Sequence, residues 1–232
     1  MARFRLLVFD WDGTLFDSIA SIVACTRQTL AELGLPSIAP ERVRATVGLG
    51  LKETILELSS GSTDPELHRR VIETYRMHWR QEFSRRPILF PDVRPTLAHL
   101  HEEGYLLAVA TGKSRRGLDN DLAAAGIGDY FDGTRTVDEA PSKPSPQMLL
   151  DLMDELGARG SETLMIGDTS YDLLMAKHAG CASVGVLTGG HGRDELATAS
   201  PLTLLEHLGE LLAWLGEEEI GRRGGRSLQS LG

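Results

Sequence analysis

Asp10 and Asp12 stand in Asp10-Trp11-Asp12-Gly13, directly after an apolar run. Far along the chain follow Thr111-Gly112-Lys113, then Lys143, then Asp168 and Asp172. Carboxylates crowded together repel, so something positive has to neutralise them. A hard divalent cation such as Mg²⁺ takes few carboxylates, some waters and the oxygens of a substrate phosphate. A lysine and a hydroxyl would suit the remaining phosphate oxygens. Such a set fits phosphoryl transfer with Asp10 as the nucleophile. Phosphate monoesters resist water strongly, and enzymes accelerate their hydrolysis by as much as ~10²¹-fold.

These residues meet only if the chain brings them to one edge. Arg5 to Phe9 is a short unbroken apolar run, as in a strand buried on both faces. Tyr105 to Ala110, Thr163 to Ile166 and Ala182 to Leu187 look alike, and Tyr130 to Val137 is a weaker case. Helical patterns lie between them: Val93 to Glu103, Ser114 to Ala125, Pro146 to Leu156 and Tyr171 to Ala179. Each ends near a glycine (Gly104, Gly126, Gly157, Gly180), as helix C-termini often do. Strand alternating with helix predicts an α/β fold with right-handed crossovers and a parallel sheet. Asp10, Asp12, Thr111 and Asp168 then fall at or just beyond strand C-termini, where such sheets bind ligands. Lys143 precedes a helix whose start is marked by Pro144 and Pro146.

Residues 17–87 break the rhythm and read as helices only: Ser18 to Leu33, Pro40 to Thr46, Lys52 to Leu58 and Pro65 to Arg86. This predicts an all-helical domain inserted into a core formed by residues 1–16 and 88–215. Residues 17–89 hold 10 Lys/Arg and 9 Asp/Glu, so the acidity of the chain lies elsewhere. Residues 216–232 contain five glycines and are expected to form a disordered tail.

The chain has 232 residues, with 24 Lys+Arg against 33 Asp+Glu and a net charge of −9. That balance argues against nucleic acid or an anionic membrane as partner. Two cysteines, Cys25 and Cys181, cannot build a disulfide framework. No apolar run approaches the ~20 residues of a membrane span, and Leu6 to Phe9 is too short for a signal peptide. The expectation is a soluble, cytoplasmic monomer. Two other metal or phosphate motifs fail on spacing. Gly13 is fourth, not sixth, in an EF-hand frame whose twelfth residue would be Ser21. A nucleotide P-loop would need glycine where Leu107 stands.

The sequence resembles the haloacid dehalogenase superfamily of phosphohydrolases. Asp10-Trp11-Asp12-Gly13-Thr14-Leu15-Phe16-Asp17-Ser18 looks like its first motif and Thr111-Gly112-Lys113 like its second. Lys143-Pro144 looks like the third, and Gly167-Asp168-Thr169-Ser170-Tyr171-Asp172 like the fourth. The helical insert resembles the small cap of the phosphoglycolate phosphatase-like branch. The resemblance implies a Rossmann-like, doubly wound core under a mobile cap, and a Mg²⁺-dependent phosphatase of a small phosphorylated metabolite. It implies that Asp10 attacks phosphorus and binds the metal. Asp12 would protonate the leaving alcohol, activate the hydrolytic water and bind the metal through its main-chain carbonyl. Thr111 and Lys143 would hold phosphoryl oxygens, helped by backbone N–H groups near Trp11, Asp12 and Gly112. Asp168 would be a metal ligand, and Asp172 would orient Lys143 or a metal-bound water.

Asp12 argues against dehalogenation, since expelling halide needs no proton whereas expelling an alkoxide does. Gly112 departs from the asparagine of many phosphoglycolate-type relatives. Lys52, after Val47-Gly48-Leu49-Gly50, matches a cationic substrate contact of relatives and equally suits a surface residue at a helix start. The six arginines of residues 68–86 read as a solvated helix face, and Trp79 and Tyr75 as packing of the cap interior. His191, in Gly189-Gly190-His191-Gly192, could approach the crevice. A β-phosphoglucomutase-like phosphomutase shares every core motif and is the alternative. A response-regulator receiver fits less well, because its nucleophile sits on the third strand and Asp10 ends the first.

Overall fold

The computed structural model describes residues 3–58, 64–83 and 88–218. Among them, six strands form one all-parallel sheet: β1 (Leu6–Phe9), β2 (Leu106–Thr111), β3 (Gly133–Thr136), β4 (Thr163–Gly167), β5 (Ala182–Val186) and β6 (Leu204–Leu205). Their order is β3-β2-β1-β4-β5-β6, so the chain winds outward from β1 in both directions. Such a doubly wound sheet leaves a crevice at the strand C-termini where the order reverses, here between β1 and β4.

Period-two alternation sorts the strand residues between two faces. Leu7 and Phe9 join Leu107, Val109, Leu164 and Ile166 against α5 (Val93–Glu102), α6 (Arg115–Ala125) and a helix over 210–218, α10. Leu6 and Val8 join Ala108, Ala110 and Met165 against α7 (Gln147–Glu155) and α8 (Ser170–His178). The strands are buried on both faces, which is why they read as continuous apolar runs. Gly104, Gly126, Gly157 and Gly180 all have φ between +60° and +81°, the left-handed turn that ends these helices.

The described part of residues 17–87 is helical: α1 (Ile19–Glu32), α2 (Pro40–Arg44), α3 (Leu51–Leu58) and α4 (Pro65–His78). Asp64 caps α4 by accepting from the Glu66 N–H at 3.0 Å. The single long helix expected over Pro65 to Arg86 changes character within its run, where a π-helical turn (Trp79–Phe83) takes over from α4. Arg69 is an exposed helix-face residue paired with Glu66 and Glu73, in keeping with the solvated reading. Phe16 bridges Leu89, and the Asp17 N–H donates to the Ile88 carbonyl at 2.8 Å, so both connections to the sheet run side by side.

Three elements lacked a sequence signal strong enough to predict them: β6, α9 (Arg193–Thr198) and α10. Residues 216–218, expected to open the tail, continue α10, and Glu218 pairs with Arg3 at 2.6 Å. Leu215, one turn before, is buried in the core, which ties the helix end down. Residues 219–232 of the expected tail lie outside the described residues. No helix among the described residues is long and apolar enough to cross a membrane.

Candidate active site

Asp10 is the first residue beyond β1, held at the sheet edge by its N–H to the Ile166 carbonyl at 2.9 Å. From β4 the chain passes Asp168 and turns into α8, which delivers Asp172. One carboxylate oxygen each of Asp10, Asp168 and Asp172 lies within 4.8 Å of the others, and all three residues are buried. Lys143 enters from the loop before α7. Its Nζ lies 2.6 Å from Asp10 Oδ1 and 2.6 Å from Asp172 Oδ1. Strands that are neighbours in space but 157 residues apart in sequence, β1 and β4, thus carry one buried charge cluster.

Each acid is held by a different hand. Asp168 Oδ1 accepts from the Thr14 hydroxyl at 2.7 Å and Oδ2 from the Gly190 N–H at 2.7 Å. Asp172 Oδ2 accepts from the Thr169 N–H at 3.1 Å and hydroxyl at 2.7 Å. Asp10 Oδ1 faces the Lys143 ammonium, and Oδ2 is buried with no hydrogen-bond donor among the described residues. Burial pushes the Asp10 carboxyl well above the usual carboxylate range; Asp172 adds to this, Lys143 works against it, and Asp168 adds again. Burial and then Asp172 push Asp168 up to about 7, against the bonds from Gly190 and Thr14. Burial disfavours the charge of Lys143, but Asp10 and Asp172 together leave its pKa raised. Three acids around one lysine are too many negative charges for a buried site, so without a further cation Asp10 and Asp168 hold their protons more tightly than usual.

The crowding of three acids, the unpartnered Oδ2 of Asp10 and the all-oxygen donor set fit a hard divalent cation. Gly13 and Gly189 leave the space open, since a Cβ at either would run into the Asp168 carboxylate. The Asp12 side chain is not part of this cluster. It turns to the Ser18 hydroxyl, 2.7 Å from Oδ1, and to Lys113, with Nζ 3.2 Å from each oxygen.

The sequence profile of the haloacid dehalogenase-like hydrolases matches residues 7–186, which include every one of these acids. The chain belongs to this family. A protein named Probable phosphatase IndB, from Dickeya dadantii, is 37% identical over 210 residues, covering 89% of this chain and 91% of that protein. A phosphoglycolate phosphatase of Vibrio parahaemolyticus is 33% identical over 216 residues, 90% of this chain and 94% of the relative. The crystal structure of a haloacid dehalogenase-like hydrolase from Bacteroides fragilis superposes with a TM-score of 0.83 at 31% identity. It covers 90% of this chain and 99% of that one.

In this haloacid dehalogenase-like hydrolase the helical insert stands over the site and encloses a cavity of about 1010 Å³. Asp10, Asp12, Thr111 and Gly112 line its floor and Lys52, Tyr75, Arg76 and Trp79 its roof. Tyr75 and Trp79, expected inside the insert, instead form part of the cavity wall, with rings stacked 6.0 Å apart. The helix face that carries them points at the crevice, so their apolar surface is shielded by the sheet domain as well as by the insert. Burial, then the charges of Cys25 and Asp12, raise the Tyr75 hydroxyl well above its ordinary pKa. Trp11 is buried below the floor, and Lys52 is exposed near the start of α3.

Several contacts among the described residues fasten the insert down. The Ala45 carbonyl receives the Tyr171 hydroxyl at 3.0 Å and His191 Nε2 at 3.2 Å. His191 Nδ1 accepts the Ser170 N–H at 3.0 Å, which leaves the proton on Nε2 for Ala45. The Gly50 N–H donates to Ser142 Oγ at 3.0 Å. The backbone of Gly48 and Leu49 also lies on Gly112, where a Cβ would stand 2.5 Å from the Leu49 carbonyl oxygen. This contact gives the missing asparagine a physical reason.

Thr14, Ser18, Thr169 and Asp121 hold the functional groups and had no role in the sequence reading. The first three lie inside the quoted motifs, where a hydroxyl is an unspecific signal. Asp121 had a usable one: with Leu118, Leu122 and Ala125 it sits on the apolar face of α6, where an acid has to find a partner.

Proposed function

We propose that this hydrolase is a Mg²⁺-dependent phosphatase of a small phosphorylated metabolite, working through an aspartyl-phosphate on Asp10. The observation that carries the reading is the buried meeting of Asp10, Lys143, Asp168 and Asp172 beside a cavity that Asp12 lines. The relatives named as phosphatases support the reaction class.

Asp10, Asp168 and the main-chain carbonyl of Asp12 would hold the Mg²⁺, with Asp172 behind them. The ion, when bound, supplies positive charge that neutralises the acids and the phosphoryl oxygens. Lys143 and Thr111 hold phosphoryl oxygens, with backbone N–H groups near Trp11, Asp12 and Gly112 assisting. Asp10 Oδ attacks phosphorus while the bond to the ester oxygen breaks. Asp12 gives that oxygen a proton, then takes one from the water that cleaves the aspartyl-phosphate. Residues 17–87 act as a cap that excludes water, and Lys52 meets the leaving group at the roof. The cavity has room for leaving groups well beyond glycolate.

Phosphate release from 4-nitrophenyl phosphate tests the reading. Activity should require Mg²⁺, vanish with EDTA and fall by at least about 10⁴-fold in Asp10→Asn. Full activity in that variant, or in EDTA, would refute the mechanism. Sugar-bisphosphate-dependent isomerisation faster than phosphate release would favour a phosphomutase instead.

A further inference from the structure

Lys113 takes no part in the chemistry above, yet it is held more tightly than most lysines. Its Nζ lies 3.2 Å from both carboxylate oxygens of Asp12 and 3.0 Å from Asp121 Oδ2. The three side chains are only 10–13% exposed. Two aromatic rings flank the ammonium, Phe16 with its centroid at 5.7 Å and Trp79 of the roof at 5.0 Å. Asp121 Oδ2 is fastened in turn by the Trp11 indole N–H at 3.2 Å. A buried lysine between two carboxylates is a poor way to gain stability, since an apolar cluster of the same volume often does as well.

The following rests on the phosphatase reading. We infer that Lys113 is a positioning residue: its ammonium grips both oxygens of Asp12 and fixes the carboxyl plane at the leaving-group side of the cavity. Asp121, anchored by Trp11, keeps the ammonium there. When the Asp10–phosphorus bond forms, the phosphorus–ester oxygen bond breaks and its electron pair stays on the ester oxygen. That oxygen takes the proton carried by Asp12 Oδ2 while Lys113 and Ser18 hold Oδ1, and Asp12 is left as the carboxylate whose two oxygens Lys113 faces. Lys113 keeps its own three protons throughout. Without it, the bond from Ser18 is what holds the Asp12 side chain among the described residues, and the carboxyl can rotate away from the ester oxygen.

A misplaced acid matters most for leaving groups that need the proton. Benzyl, phenyl and 4-nitrophenyl phosphate carry similar rings, and their leaving oxygens need protonation progressively less. The ratio kcat/KM covers only the steps through leaving-group departure, so hydrolysis of the aspartyl-phosphate does not blur it. In Lys113→Met it should fall about 10²-fold for benzyl phosphate, less than about threefold for 4-nitrophenyl phosphate and in between for phenyl phosphate, because a positioned acid supplies 10²- to 10⁴-fold. Lys113→Arg should recover most of the benzyl phosphate rate, since a guanidinium can also fork onto both oxygens. Asp121→Asn should show the same ordering with smaller losses, and it carries the test if Lys113→Met does not fold. Equal losses on all three esters, or none, overturn the proposal. A wild-type protein that hydrolyses none of the three sinks the phosphatase reading itself, which is a different result.

Discussion

At the floor of the crevice, Asp10, Lys143, Asp168 and Asp172 are 0–2% exposed, and each is tied to at least one other residue by a short polar contact. At the roof and rim, Lys52, Arg76 and Arg116 are exposed, and none has an ion-pair partner among the described residues. The floor is over-determined: strand ends, capping hydroxyls and opposite charges all specify the same positions. The roof is a set of side chains on helices that a few hydrogen bonds and one tight backbone contact join to the sheet domain. On the phosphatase proposal the floor would take the phosphoryl group, which has one shape and charge, and the roof would face the leaving group, which differs from ester to ester.

The sharpest way to break this contrast compares two cations. Lys143→Met should lower kcat by about 10²- to 10³-fold for every ester, the loss expected when one preorganised charge contact is removed. It should also cost about 3–5 kcal/mol of stability, because it leaves buried acids without their partner. Arg76→Met should leave the melting temperature unchanged and alter KM for some esters only. Losses of equal size for both variants on every ester would erase the distinction between floor and roof.

Gly112 lies where the two regions touch. In Gly112→Asn the new side chain meets the Leu49 carbonyl, the roof loop lifts, and kcat/KM should drop by up to about 10²-fold, the penalty for misplacement by about 1 Å. Steady-state kinetics with the structure of the variant would check this; unchanged kinetics would show that the roof need not close so tightly.

The floor also predicts a pH effect on the metal-free protein. Burial and Asp172 hold Asp168 at about 7, against an ordinary value of 3.8. Between roughly pH 4 and pH 7 the native state keeps a proton that the unfolded chain has released. Stability of the EDTA-treated protein should therefore fall as pH rises through that window. Melting curves should show the slope in wild type and a flatter one in Asp168→Asn. The smallest effect belongs to the roof fastenings. Tyr171→Phe removes one bond to the Ala45 carbonyl, and a neutral hydrogen bond is worth about 1 kcal/mol, so KM should rise a few-fold with little change in melting temperature.

The sheet was legible because β1, β2, β4 and β5 are buried on both faces and must be apolar throughout, and because Gly104, Gly126, Gly157 and Gly180 punctuate the helices. The two residues of β6 and the six of α9 are too short to show a period. The π-helical turn at Trp79 has no signature distinct from the α-helix it extends. The acids and Lys143 were legible because their types and order are unusual together. Thr14 and Ser18 were not, because hydroxyls in turns are common.

Residue type and order alone determined which groups could carry charge to a phosphate, and the alternation of apolar runs with helical periods placed them at one sheet edge. Only the tertiary structure decided which acid faces which cation. Lys143 lies between Asp10 and Asp172 and Lys113 between Asp12 and Asp121. The reason is geometric: Asp10 and Asp12 share a turn but point into different surroundings. Coulomb energy over a few ångströms depends on where a side chain points, which its position in the sequence does not record.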